Sequence, residues 1–196
     1  MSLIAACEKI ELILSDVDGV MTDGGIRLLD DGQQVMKFHI RDGMGVRLWR
    51  EAGKRFGIVT GRNLEAIRRR AADLWLDIIR LGIDDKLPAV DALAEEFGLT
   101  RQQICYIGDD LLDLETIRSV GLGVAVADAV EDVRLSAKYV TSVAGGDQRH
   151  DTYLVRDLSA QRIKRTDVRL TKPLSWAICL CCLIRFPLRP LGRRHR

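Results

Sequence analysis

Cysteine is scarce and poorly placed for cross-linking. Of five in 196 residues, Cys7 and Cys105 stand far apart, while Cys179, Cys181 and Cys182 crowd together. No disulfide framework and no zinc-ligand spacing emerges, so a reducing, cytoplasmic setting is expected. Long apolar runs are missing as well. The longest, Leu174 to Ile184, falls short of the ~20 residues that a bilayer-spanning helix needs, and no membrane association is expected. Met1 to Ile10 contains Glu8 and lacks a basic stretch followed by an apolar one, which argues against a secretory signal.

What is present suits one globular core, with 47% hydrophobic and 30% charged residues. The net charge of +2 hides an asymmetry: residues 149–196 hold 12 of the 30 Lys+Arg but 3 of the 28 Asp+Glu. Residues 1–148 therefore carry 18 basic against 25 acidic groups. The body is acidic and the tail basic, and no nucleic-acid partner is expected for the body.

From Glu11 to about Ser142, short β-rich apolar runs alternate with amphipathic helical stretches. That is the pattern of an α/β domain, a Rossmann-like parallel sheet with helices on both faces. Strands are predicted near Leu12–Ser15, Phe56–Thr60, Asp77–Leu81, Ile104–Gly108, Gly123–Ala127 and Lys138–Thr141. Helices are predicted over roughly Gly45–Ala52, Leu64–Leu74, Leu87–Phe97, Leu111–Val120 and Val130–Ala137. Asn63 is placed to cap one helix, and Gly53 and Gly98 to end others. After the first strand, residues 24–40 form two β-capable arms meeting at Asp31-Gly32, a hairpin signal. A lone two-stranded ribbon is marginal in water, so this one is expected to dock on something, a second subunit being one choice. No insertion of several dozen residues interrupts the alternation, so no large cap domain covers the strand ends.

Chemistry concentrates at those ends. Asp16-Val17-Asp18-Gly19-Val20 follows the first strand, and its i, i+2 spacing in extended backbone puts both carboxylates on one side. A simple turn with backbone-bonded aspartates is the plain alternative. The second strand ends in Thr60-Gly61-Arg62-Asn63, where a hydroxyl and a glycine precede a helix start that suits an anion, although by itself Thr60-Gly61 is only a helix cap. Lys86 opens the next helix, the wrong end for a cation unless an anion meets it. The fourth strand delivers Gly108-Asp109-Asp110-Leu111-Leu112-Asp113, whose three acids repel one another unless a dication or the solvated start of a helix relieves them.

Taken in order, these four segments resemble the motifs of the haloacid dehalogenase superfamily, over about residues 10–148. The resemblance implies a magnesium-dependent phosphohydrolase in which Asp16 attacks phosphorus and Asp18 protonates the leaving oxygen and later deprotonates water. It further implies that Asp16, the main-chain carbonyl of Asp18, and Asp109 hold Mg2+, with Asp110 or Asp113 in support, while Thr60 and Lys86 hold the phosphoryl oxygens.

Asp16-Val17-Asp18-Gly19-Val20-Met21-Thr22-Asp23-Gly24 and Phe38-His39-Ile40-Arg41-Asp42-Gly43-Met44-Gly45 are similar to the capless phosphatases that act on 3-deoxy-D-manno-octulosonate 8-phosphate in lipopolysaccharide synthesis. In that family four subunits form a ring and the hairpin of one covers its neighbour's site. The implied substrate contacts are Asp18, His39, Ile40, Arg41, Asp42, Gly43, Arg47, Gly61, Arg62, Arg70 and Lys86, arginine's planar fork suiting a sugar-acid carboxylate. Arg68, Arg69 and Arg70 can equally be a solvated helix face. A nine-carbon, sialic-type acid 9-phosphate is the alternative substrate; Arg62 tips the choice towards eight carbons, since the nine-carbon enzymes typically show glutamate there.

A phosphatase domain over residues 1–160 is thus expected. The basic segment 161–196 departs from the family pattern and is read as a disordered tail, an altered reading frame or an accessory element. Arg185, Arg189, Arg193, Arg194 and Arg196 motivate a minority reading, a vestigial phosphatase body serving as a polyanion-binding module.

Overall fold

The structure, a computed structural model, describes residues 3–146. The tail and its proposed roles lie outside the described residues.

The strand-rich runs become one six-stranded parallel sheet. In chain order its strands are β1 (Leu12–Ser15), β4 (Arg55–Thr60), β5 (Ile78–Leu81), β6 (Ile104–Gly108), β7 (Leu122–Ala125) and β8 (Tyr139–Val140). A separate antiparallel ribbon pairs β2 (Arg27–Leu28) with β3 (Gln34–Val35). The helices are α1 (Leu3–Cys7), α2 (Ile40–Glu51), α3 (Glu65–Asp73), α4 (Lys86–Glu96), α5 (Leu114–Ser119) and α6 (Glu131–Ser136). The order across the sheet is β5-β4-β1-β6-β7-β8.

β1 is buried along its whole length because helices cover both faces. Its alternation sends Ile13 into one core with Cys7 of α1, Val46 and Trp49 of α2, and Ile67 and Ala71 of α3. Leu12 and Leu14 point the other way, to Val90 and Leu93 of α4, Ile117 of α5 and Val133 of α6. Three helices therefore pack on each face; helices on both faces are what the sequence pattern predicts. No cap-sized insertion occurs among the described residues.

Three expectations need correction, and one helix was not foreseen. The helix predicted from Gly45 starts at Ile40, because His39 takes the N-cap position and its Nδ1 accepts from the Arg41 N–H at 3.2 Å. Gly43 weakens helix propensity in that first turn, which hid it from the pattern. Asn63 does not cap α3: its Oδ1 accepts from the Arg68 guanidinium at 2.5 Å, a charge-assisted bond that outcompetes a backbone N–H. Leu64 occupies the N-cap instead, without a side-chain bond. The stretch predicted as one helix over Leu111–Val120 begins with a 3-10 turn, Leu111–Asp113, before α5. Finally, α1 carries no signal that the pattern reading detected.

The expected glycines do end helices: Gly53 follows α2 and Gly98 follows α4, both at positive φ. At the end of α3 the same left-handed position is filled by Trp75, φ 51°, which is 67% exposed. Its N–H donates to Ala72 and that of Leu76 to Ala71, closing the helix as glycine would.

Candidate active site

β1 is central, with β4 on one side (Leu12↔Arg55) and β6 on the other (Leu12↔Ile104). The chain runs outward from β1 to β5 and then returns to build β6–β8, so the order reverses between β1 and β6, where open α/β sheets bind ligands. Asp16 continues the β1–β6 ladder by donating its N–H to Ile107 at 2.9 Å, which places it beside the end of β6.

The turn that follows brings the first motif against the fourth. Val17 accepts backbone bonds from Met21 (2.8 Å) and Thr22 (3.1 Å), and the buried Thr22 hydroxyl receives the N–H of Gly19 at 3.3 Å. Gly19 has φ 76°, and a Cβ there would lie 1.9 Å from Asp109 Oδ2. Only a glycine meets both demands, so Gly19 is what lets Asp109 close upon the β1 turn.

Lys86 is 2% exposed, and its Nζ donates to Asp16 Oδ2 at 2.5 Å and to Asp113 Oδ1 at 2.6 Å. Asp113, fully buried, also accepts the Tyr106 hydroxyl at 2.7 Å and the Asp109 and Asp110 N–H groups at 2.9 and 3.2 Å. A Cβ at Gly108 would meet Asp113 Cγ at 2.4 Å, so glycine there makes room for this carboxylate under the loop. The cation at the start of α4 thus meets two anions, the condition under which that position is tolerable.

These contacts perturb the titrating groups. Burial works against the Lys86 ammonium, but Asp16 and Asp113 outweigh it and its pKa is raised. Burial raises the Asp16 pKa against the pull of Lys86, with Asp113 adding to the rise. Asp109 is raised to about 7 by burial first and then by repulsion from Asp113, Asp16 and Asp110.

Asp16, Asp109 and Asp113 each offer a carboxylate oxygen, all within 4.8 Å of one another. Asp109 Oδ1 is buried and has no hydrogen-bond partner among the described residues. An orphaned oxygen in a set of hard donors suits a hard dication. Asp110 is engaged as the cap of the 3-10 turn, its Oδ1 accepting from the Leu111 N–H at 2.7 Å.

The carboxylates form the floor of a cleft of about 420 Å³. Of the residues singled out by sequence, Asp16, Asp18, Thr60, Gly61, Arg62, Lys86, Asp109 and Asp110 line it, and Asp113 lies beneath. The buried Thr60 Oγ1 accepts from the Arg62 N–H at 3.3 Å. Arg62 reaches over the cleft, Nε 3.5 Å from Asp18 Oδ2. His39, Ile40, Arg41, Asp42, Gly43, Arg47 and Arg70 do not line it within one chain. Ile40 is 83% exposed, and Arg47 pairs with Glu51 at 2.7 Å. Arg70 donates to the His39 carbonyl at 2.9 Å and lies over the Phe38 ring, whereas Arg68 and Arg69 are exposed.

Sequence reasoning missed Tyr106 and Asp84. Tyr106 is fully buried in β6, and a tyrosine in a doubly covered strand must find a partner for its hydroxyl, a signal that was available. Asp84, in the cleft wall beside Gly61, follows no motif position.

A buried carboxylate at the end of β1, a second one two residues on, a buried lysine opening α4 and a metal-competent acid triad meet in the pattern of a haloacid dehalogenase-like hydrolase. The model of the haloacid dehalogenase-like hydrolase family matches residues 71–147. Over 144 residues, 74% of this chain and 77% of the relative, the chain is 38% identical to the 3-deoxy-D-manno-octulosonate 8-phosphate phosphatase of Escherichia coli K12. The corresponding enzyme of Haemophilus influenzae is 37% identical over 71% of this chain and 77% of its own. A crystal structure of the Moraxella catarrhalis enzyme with magnesium, phosphate and the sugar acid superposes with TM-score 0.72 at 35% identity, covering 74% of this chain and 83% of that one. The cobalt-bound Haemophilus influenzae structure gives TM-score 0.70 at 37% identity, over 72% and 83%. The chain belongs to the 3-deoxy-D-manno-octulosonate 8-phosphate phosphatase family.

Proposed function

We propose that this protein hydrolyses 3-deoxy-D-manno-octulosonate 8-phosphate to the free sugar acid and phosphate in lipopolysaccharide biosynthesis, with Mg2+ as cofactor. The observation that carries the chemistry is the meeting of Asp16, Asp18, Thr60, Lys86 and Asp109 at one end of the sheet. The substrate follows from the activity that the relatives' names carry.

A phosphate monoester is slow to react with water, and a carboxylate nucleophile divides the reaction into two easier steps. Asp16 attacks phosphorus and becomes an aspartyl phosphate. Asp18 gives a proton to the departing C8 oxygen and then takes one from the water that releases phosphate. Lys86, fixed between Asp16 and Asp113, and Thr60 face the phosphoryl oxygens as charge builds. Asp16, the Asp18 carbonyl and Asp109 would hold the metal, with Asp113 behind them and Asp110 at the rim. When bound, the dication supplies charge neutralisation to the carboxylates and to the transferring phosphoryl group.

The remaining contacts are assigned across subunits of a homotetramer in which the hairpin covers a neighbour's cleft. Supporting this, Leu28, Leu29 and Val35 of the hairpin are 63%, 51% and 42% exposed in one chain. His39–Gly43, Arg47 and Arg70 also stand outside their own chain's cleft, which supports a site shared between chains. A cytoplasmic location accords with the free, buried thiols of Cys7 and Cys105.

The deciding experiment measures phosphate release with and without EDTA for the wild type and for Asp16→Asn. Release is expected to be lost in the variant and on chelation; turnover surviving in Asp16→Asn would reject the mechanism. Comparing kcat/KM on the eight- and nine-carbon acid phosphates assigns the substrate, with the eight-carbon ester preferred.

A further inference from the structure

We infer that Gln34, on the hairpin, is a positioning residue that orients Arg62 for the carboxylate of the sugar acid. The inference rests on the reading of Arg62 as a substrate contact given above. Arg62 Nη2 donates to Gln34 Oε1 at 2.5 Å, across 28 positions of sequence, while Nε faces Asp18 Oδ2 at 3.5 Å. A guanidinium is planar, with its five donors in a rigid fork, so anchors on two different nitrogens fix both its place and its plane. Nη1 makes no hydrogen bond among the described residues and is left to present its two N–H groups to an anion.

The hairpin is built to hold Gln34 in place. At its base Arg27 Nη2 pairs with Asp23 Oδ2 at 2.7 Å. At its tip Asp31 receives the backbone N–H and the side-chain amide of Gln33, both at 2.9 Å. The pairing Leu28↔Gln34 then fixes the register between those two clips. Without Gln34, Arg62 keeps one long contact and a mobile stem, and must be ordered each time substrate binds. The hairpin thereby acts on the cleft of its own chain as well as covering one.

The test is steady-state kinetics of Gln34→Ala, Gln34→Glu, Arg62→Ala and the Gln34→Ala/Arg62→Ala double variant. Each is run on the sugar-acid phosphate and on p-nitrophenyl phosphate, which has no carboxylate. For Gln34→Ala, KM for the sugar-acid ester is expected to rise about tenfold, the scale of one hydrogen bond to a charged group, with kcat within about twofold. Its kcat/KM on p-nitrophenyl phosphate should change less than about twofold. Gln34→Glu keeps the acceptor oxygen and should rescue KM to within about threefold. In the Arg62→Ala background, Gln34→Ala should add nothing, since the two act as a unit. An unchanged KM in Gln34→Ala while Arg62→Ala raises it, or equal losses on both esters, overturns the role of Gln34 and leaves that of Arg62 standing. An unchanged KM in Arg62→Ala overturns both.

Discussion

At the scale of single residues, Asp109 exposes the conflict on which this site is built. Burial and three neighbouring acids lift its pKa to about 7, and its Oδ1 finds no partner among the described residues. In the unfolded chain the same carboxyl titrates near its ordinary value of 3.8. Between those values the folded metal-free protein holds a proton that the unfolded chain has released. The associated stability is therefore complete below the lower value and is lost as pH rises through the upper one. Thermal melts without metal should show a lower Tm at pH 8 than at pH 6, and Mg2+ should reverse the loss by satisfying the deprotonated cluster. Asp109→Asn should flatten that pH dependence, gain about 1–2 kcal/mol at pH 8 without metal, and abolish the response to Mg2+. An unchanged Mg2+ response in the variant would remove Asp109 from the ligand set. Lys86 and Asp113 show the complementary arrangement, a buried cation whose partners are all in place.

At the scale of elements, what matters is how the turn after β1 meets the end of β6. Gly19→Ala puts a methyl group into the Asp109 carboxylate at a φ that L residues resist. It is expected to cost about 1–3 kcal/mol in denaturant titrations and at least about 100-fold in phosphate release, because Asp109 must move. At the end of α3, Trp75 carries strain that glycine would not. Trp75→Gly should raise unfolding free energy by roughly 1 kcal/mol with kinetics unchanged, since the residue is exposed and away from the cleft. The hairpin is the element whose existence was readable and whose contact with its own chain's cleft was not. Asp31-Gly32 announces the turn, but the bond from Arg62 to Gln34 joins residues that no periodicity connects.

At the scale of the whole molecule, every residue assigned to chemistry lies between Asp16 and Asp113, carried by strand ends of a sheet with helices on both faces. A variant lacking residues 162–196 is therefore expected to retain kcat within about twofold, measured by phosphate release, because stability and site geometry follow from the packed layers. The minority reading of a polyanion-binding module predicts instead that binding to an anionic column is lost on the same deletion while the phosphatase variants leave it untouched. Among the described residues no helix is long and apolar enough to cross a membrane.

The order of β-rich and amphipathic segments, the strand-end placement of Asp16, Asp18, Thr60 and Asp109, the helix-start placement of Lys86, and the turn at Asp31-Gly32 were all determined by the sequence alone. Each is a local property: side-chain periodicity, a breaker residue, or charge beside an apolar run. Only the tertiary structure decided that Lys86 bridges Asp16 and Asp113, that Tyr106 supports Asp113, that Asp110 caps its own turn, and that His39–Gly43 stand off their own cleft. Those outcomes depend on which strands lie side by side and how closely two loops approach. Distance between residues far apart in the chain is set by packing, which no local pattern encodes.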